Sequence, residues 1–151
     1  MKKIVLISCV SKKVSTKARA KDLYKGVLFK YSLKYANSLK TDKTLILSAL
    51  HHVLDLETEI EPYDVTLSNV PKHKRKAGLK ILNREEKQEW GKKVIEQLSK
   101  LADIENDKFI ILAGQEYIKP IINHITHFEL PLNGLRQGER VKFLKNNSIH
   151  E

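Results

Sequence analysis

Residues 44–67 read TLILSALHHVLDLETEIEPYDVTL, and the chain is organised around them. Leu45, Ile46 and Leu47 form an apolar run of the kind shown by a strand buried on both faces. The run stops at Ser48 and Ala49, and two adjacent histidines, His51 and His52, follow. An acidic stretch then leads to Glu61-Pro62-Tyr63-Asp64. Proline drives the residue before it into extended geometry, so a shaped loop is expected there rather than a continuing helix. A strand that empties into small residues, histidines, an aromatic and a carboxylate is how α/β proteins build ligand sites. The plainer alternative is close packing at Ser48 and Ala49, with histidines that cap or line a helix.

Strands and helices alternate on either side of this stretch. Lys3 to Val10 reads as a first buried strand, and Asp22 to Leu39 as an amphipathic helix whose first turn is weakened by Gly26. Thr44–Leu50 is the second strand. Asn83 with Glu86 three positions later is a capping-box signature, opening a helix expected to bury Trp90, Val94, Leu98 and Leu101. Phe109–Ala113 is a third strand, followed by Gly114-Gln115-Glu116-Tyr117 and a helix with Pro120 in its first turn. His127–Leu132 is a short fourth strand, and residues 134–140 turn into a last helix carrying Val141, Phe143 and Leu144.

This pattern predicts one α/β domain over residues 1–151: three layers, with a mostly parallel sheet of about four strands flanked by helices. If the strands are parallel, their carboxyl ends share one edge. That edge then gathers the segment from Ser8 to Lys13, Ser48 with the histidines, Gly114 to Tyr117, and Asn133 to Arg140. Open α/β sheets bind ligands at such an edge.

Composition narrows the class. A chain of 151 residues, 41% hydrophobic, can bury a core without staples. A single cysteine, Cys9, excludes an internal disulfide framework and fits a reducing, cytoplasmic compartment. The first apolar run is too short for a signal peptide, and no segment has the length of a membrane span. The net charge of +10 is unevenly spread. Residues 1–40 hold eleven Lys/Arg and one acid, Asp22, while the other 111 residues hold seventeen of each sign. A second basic run, Lys72-His73-Lys74-Arg75-Lys76 with Lys80, lies inside the balanced part. Clustered positive charge suits phosphate, which points to nucleic acid or nucleotide as partner. The heavy excess of lysine over arginine leaves a plain solvated surface as the alternative.

Named motifs are absent. There is no GxGxxG, GxxxxGK[ST], HExxH, CxxC or GxSxG, so no cofactor and no metal site is expected. Cys9 with the histidines would need spatial adjacency to form a zinc site or a thiol–imidazole pair, and a lone cysteine after a strand more often packs.

The order of short motifs resembles a family of small bacterial and phage proteins, a domain-of-unknown-function group. Its pattern runs S-C-x-x-K-K, L-Y-x-x-x-L-F, L-S-A-x-[YH]-G-L, P-Y-D-x-T-L, a helical tryptophan, L-A-G-x-x-Y and P-L-x-G-L-x-x-G-x-R. Here these are Ser8-Cys9 with Lys12-Lys13, Leu23-Tyr24 with Leu28-Phe29, Leu47-Ser48-Ala49, and Pro62-Tyr63-Asp64 with Thr66-Leu67. Trp90, Leu112-Ala113-Gly114 with Tyr117, and Pro131-Leu132 with Gly134-Leu135, Gly138 and Arg140 complete the order. One departure from the pattern stands out, with His52 at the position of a glycine. At longer range the S-A-L…P-Y segment resembles the YaaA peroxide-stress proteins, which bind DNA, and the architecture is similar to uracil-DNA-glycosylase-like folds. These resemblances imply a base- or nucleotide-binding cleft.

Two functional expectations follow. In the first, the cleft acts on an N-glycosidic bond of a nucleobase or nucleoside. Tyr63 stacks on the base, Asp64 orients water or stabilises charge on the sugar, and His51 donates to the leaving base. Lys12, Lys13 and Arg140 hold phosphates, and Ser8, Ser48, Gly114, Tyr117 and Arg136 complete the binding edge. In the second, the protein is a non-catalytic DNA- or RNA-binding module that uses the basic first quarter together with Lys74, Arg75 and Lys76.

Overall fold

The structure, a computed structural model, describes residues 1–10 and 13–148. Its strands are β1 (Lys3–Ser8), β2 (Ala18–Arg19), β3 (Lys43–Ser48), β4 (His52–Asp55), β5 (Glu59–Ile60), β6 (Val65–Thr66), β7 (Lys80–Ile81), β8 (Lys108–Leu112) and β9 (His127–Glu129). The helices are α1 (Ala20–Leu23), α2 (Val27–Ser38), α3 (Arg84–Leu101), α4 (Gln115–Ile122) and α5 (Gln137–Asn147).

The main sheet has five strands in the order β4-β3-β1-β8-β9. The pairings β1–β3, β1–β8 and β8–β9 are parallel, and β3–β4 is antiparallel. The sheet is therefore mixed, and the expectation of about four strands is corrected to five. The added strand is β4, which folds back on β3 through the turn Ala49-Leu50-His51 and pairs His52 with Ser48. Two two-stranded ribbons, β2–β5 and β6–β7, lie outside the main sheet.

The core is the one the apolar runs prescribe. Ile4–Ile7, Leu45–Leu47 and Phe109–Leu112 are all buried, as central strands covered on both faces must be. α2 packs on α5 and against β1; α3 packs on α4 and against β4. The α3–α4 contact is close because position 91 has no side chain. A Cβ on Gly91 would stand 2.5 Å from the Pro120 carbonyl oxygen and 2.8 Å from its Cβ. On the other side of α3, the Gln97 side-chain oxygen accepts the Val53 backbone N–H of β4 at 2.9 Å.

The capping box at Asn83 forms as the sequence prescribes. Asn83 Oδ1 accepts the Glu86 N–H at 2.8 Å, and Glu86 Oε1 accepts the Asn83 N–H at 2.9 Å. Three local expectations are revised. The helix read over residues 22–39 is two helices, broken at Gly26, whose φ of 110° no other residue adopts comfortably. Pro120 lies well inside α4 rather than in its first turn, because the helix already starts after Gly114. Leu101, expected inside, is 43% exposed at the end of α3. Among the described residues, no helix is long and apolar enough to cross a membrane.

Candidate functional site

The parallel strands β1, β3, β8 and β9 end on a common edge, and a cleft of about 380 Å³ opens there. Ser8, Cys9 and Val10 enter it from the end of β1, and Gly114 to Tyr117 enter from the start of α4. Gln137 and Arg140 of α5 close one side, Leu28 and Phe29 of α2 another, and Thr66 with Ser68, Asn69 and Val70 a third. Apolar walls with a few convergent polar groups are the usual make-up of a small-molecule site. Arg140 is fixed by an Nε–H bond to the Leu135 carbonyl at 2.9 Å, and its Nη1 reaches to 3.6 Å from where a Gly114 Cβ would be. Glu116 faces the same cleft but is held by Lys87 at 2.7 Å, which draws its carboxyl below the ordinary range.

A second cavity, of about 360 Å³, shares the wall formed by Thr66 and Val70. Its lining is Lys13, Lys25, Lys74 and Lys76 over the apolar side chains of Val70 and Leu79. A narrow gap between the two cavities is bounded by Cys9 and Tyr117 on one side and by Lys13, Asp64 and Lys76 on the other. The Asp64 carboxylate pairs with Lys76 at 2.6 Å. Arg75 turns away from this lysine pocket, donating from Nε to the Val70 carbonyl at 2.8 Å.

Beneath the lysine pocket lies a chain of buried hydroxyls. The Tyr63 hydroxyl is 2.6 Å from that of Tyr24 and 2.7 Å from that of Ser48. The Ser48 hydroxyl also accepts the His51 N–H at 3.0 Å, and the Ser48 carbonyl accepts the Trp90 indole N–H at 2.8 Å. A parallel set joins Tyr117 to Thr66 at 3.3 Å and to Cys9 Sγ at 3.4 Å. Burial raises the phenol pKa of Tyr24, Tyr63 and Tyr117, so all three remain neutral hydroxyls. The Lys13 ammonium sits 4.4 Å from the Tyr63 ring centre and 5.7 Å from that of Tyr24, a cation–π arrangement. Burial, with Lys76 as a further cause, lowers the Lys13 pKa, against the opposing pull of Cys9 and Asp64.

The residues singled out in the sequence thus fall into three places. Ser8, Gly114, Tyr117 and Arg140 line the strand-end cleft, while Lys13, Lys74 and Lys76 line the lysine pocket. Ser48, Tyr63 and His51 form the hydroxyl network, with the His51 ring edge-on to Tyr63 at 5.5 Å. The end of β3 therefore supports the site from beneath rather than lining its cleft. Burial lowers the His51 pKa, so this imidazole favours its neutral form. Arg136 is exposed at the start of α5, where its N–H donates to Glu139 at 2.9 Å. Lys12 lies outside the described residues.

Residues that line or support the site but that the sequence reading did not assign to it are Tyr24, Phe29 and Thr66. A helical period cannot separate an aromatic that packs from one that also walls a cleft. The shared L-Y-x-x-x-L-F motif was the available signal. His52 has a φ of 68°, the left-handed conformation that the glycine of the resembled pattern would supply without strain. Among the described residues, no group of three or more His, Cys, Asp or Glu is placed to hold a metal ion.

Comparison with curated proteins gives no match. Residues 4–146 match the model of a family of unknown function, DUF6884, and the chain belongs to that family.

Proposed function

We propose that the protein binds a nucleotide or nucleic acid across its paired cavities, with a base or sugar in the strand-end cleft and phosphate against the lysines. One observation carries this reading. A cleft with apolar walls and polar readers shares a wall, at Thr66 and Val70, with a pocket lined by four lysines. Leu28, Phe29 and Leu132 give the cleft apolar walls, and the amides of Gln137, of Asn69 (its nitrogen bonded to Glu116 at 3.3 Å) and of Gln115 (its nitrogen bonded to Asn133 at 2.6 Å) stand at its rim. The resemblance of the S-A-L…P-Y segment to YaaA proteins, read from the sequence, implies the same partner class. The unpaired Cys9 is consistent with a cytoplasmic setting.

Binding is favoured over N-glycosidic cleavage. Asp64 is engaged by Lys76, and His51 is packed against Tyr63, whose ring is buried. Neither arrangement presents an acid and a base to the strand-end cleft.

The test is a salt-titrated binding assay with single- and double-stranded DNA and RNA, and with the common nucleoside mono- and diphosphates. Affinity that falls steeply with salt, and that Lys74→Glu with Lys76→Glu abolishes, is the expected result. No binding of any of these at low salt overturns the proposal.

A further inference from the structure

Resting on that reading, we infer that the lysine pocket is a subsite for a terminal phosphate, a phosphomonoester or the end of a di- or triphosphate, rather than for the diester backbone of a strand. The pocket's charge comes from four lysines on three separate pieces of chain. Lys13 follows β1, Lys25 stands at the break before α2, and Lys74 and Lys76 belong to the segment between β6 and β7. They surround one volume of about 360 Å³ instead of following a track. The carboxylate at its margin, Asp64, is taken up by Lys76. A clear excess of positive charge is thus gathered in one place.

Such an excess matches a compact group of high charge. A diester phosphate carries a single negative charge, and successive ones along a strand are spread about 3.4 Å apart along the helix axis. A phosphomonoester carries about −1.5 to −2 at neutral pH, with three acceptor oxygens on one centre. Lysine is also the fitting residue type. Its ammonium is a compact, rotatable point charge, suited to a tetrahedral group approached from several sides, whereas the planar guanidinium fork favours bidentate contacts. The one arginine in this run, Arg75, is committed to the Val70 carbonyl, and so holds the wall between the cavities instead of facing the ligand. Lys13 supplies the inner limit. With its ammonium against two buried aromatic rings, it stands at the gap that leads toward the strand-end cleft. A phosphate seated there would be one short linkage from a sugar or base on the other side of Thr66.

The discriminating probes carry no base. Calorimetric titration with inorganic pyrophosphate and with dimethyl phosphate, at fixed ionic strength, compares a compact polyanion with a monoanionic diester. Pyrophosphate binding at least ten-fold tighter is expected, and Lys25→Ala with Lys74→Ala should erase that preference. Both lysines are exposed, so these variants fold. Equal binding of the two probes, or a preference that survives the double substitution, overturns the inference. Mixed-sequence 12-mers with a 5′-phosphate, a 3′-phosphate or hydroxyl ends then separate the sources. A gain only on phosphorylated ends assigns the subsite to nucleic-acid termini, and a gain only with free nucleoside diphosphates assigns it to nucleotides. Oligonucleotides that bind equally whatever their ends keep the nucleic-acid reading and defeat the terminal-phosphate one. Absence of binding by every nucleotide and strand defeats both.

Discussion

The hydroxyl of Ser48, at the end of β3, lies 2.7 Å from the hydroxyl of Tyr63, fifteen positions on in the chain. This contact ties the central sheet to the loop that walls the lysine pocket, and both residues are buried. Tyr63→Phe would leave the Ser48 and Tyr24 hydroxyls short of a buried partner. A loss of about 1–3 kcal/mol is expected, since an unsatisfied buried polar group costs that much. Urea denaturation of the purified variant measures it, and an unchanged midpoint would show that the network is not stabilising.

His52 occupies a left-handed conformation at φ 68°. A residue with a Cβ is disfavoured there by about 1–2 kcal/mol, whereas glycine brings an unfolded-state entropy penalty of about 0.5–1 kcal/mol. The strain term is the larger. His52→Gly should therefore stabilise the protein by about 0.5–1 kcal/mol, seen as a melting point higher by a few degrees. A lower melting point would mean that side-chain contacts of His52 outweigh its backbone strain.

The two histidines also predict an acid limb. Burial is the first cause that lowers the pKa of both His51 and His52, with Lys93 adding to the effect at His52. Unfolded histidines titrate near about 6.5 and so take up protons before the folded ones do. The stability these groups contribute is complete above that value and is lost as pH falls through the lowered folded values. Denaturation midpoints measured between pH 7.5 and 5 should decline, and the decline should shrink in a His51→Gln, His52→Gln double variant.

Gly91→Ala sets two effects against each other. Alanine gains about 1 kcal/mol in helix propensity over glycine. Its Cβ would, however, stand 2.5 Å from a backbone oxygen of α4, which cannot swing aside like a side-chain tip. Overpacking of this kind typically costs about 1–3 kcal/mol, and α4 would have to shift to relieve it. Net destabilisation is expected, accompanied by weaker ligand binding, because the start of α4 lines the cleft. A variant more stable than the parent would show the helices free to separate.

Asp64→Asn separates the two functional expectations. The Asp64–Lys76 pair is 43% and 60% exposed, so its removal should change stability by less than about 1 kcal/mol. It releases one lysine charge into the pocket, and phosphate affinity should rise several-fold at low salt. Glycosylase action through Asp64 would instead show as base release from DNA or nucleosides that this substitution abolishes.

The positions of the buried strands were legible in the sequence because unbroken runs such as Leu45–Leu47 and Phe109–Leu112 have no other satisfactory place. The Asn83 cap was legible for the same reason: one short motif satisfies two backbone donors. β4 was not. Its four residues, HVLD, follow a turn without the Asn-Gly or Asp-Gly pair that advertises a hairpin, and His52 stands where glycine would have given the turn away. In the site, lysines could be counted but not located. Lys74 and Arg75 are neighbours in sequence, yet one faces the pocket and the other grips Val70. Nor could a period of three or four reveal that Tyr24 and Tyr63 meet through their hydroxyls.

The Gln97 oxygen that accepts the Val53 N–H has a consequence for how copies of this chain behave when crowded. A β-sheet grows by offering unpaired backbone groups along its outermost strand. On β4 one such donor is already taken by a side chain from α3, which lies over that border. At the opposite border β9 is only three residues long, and its Glu129 is paired with Lys108. With one border guarded by an amide and the other short and charged, the sheet is a poor template for another strand. Concentrated preparations should therefore resist fibrillar association despite five strands of largely apolar sequence.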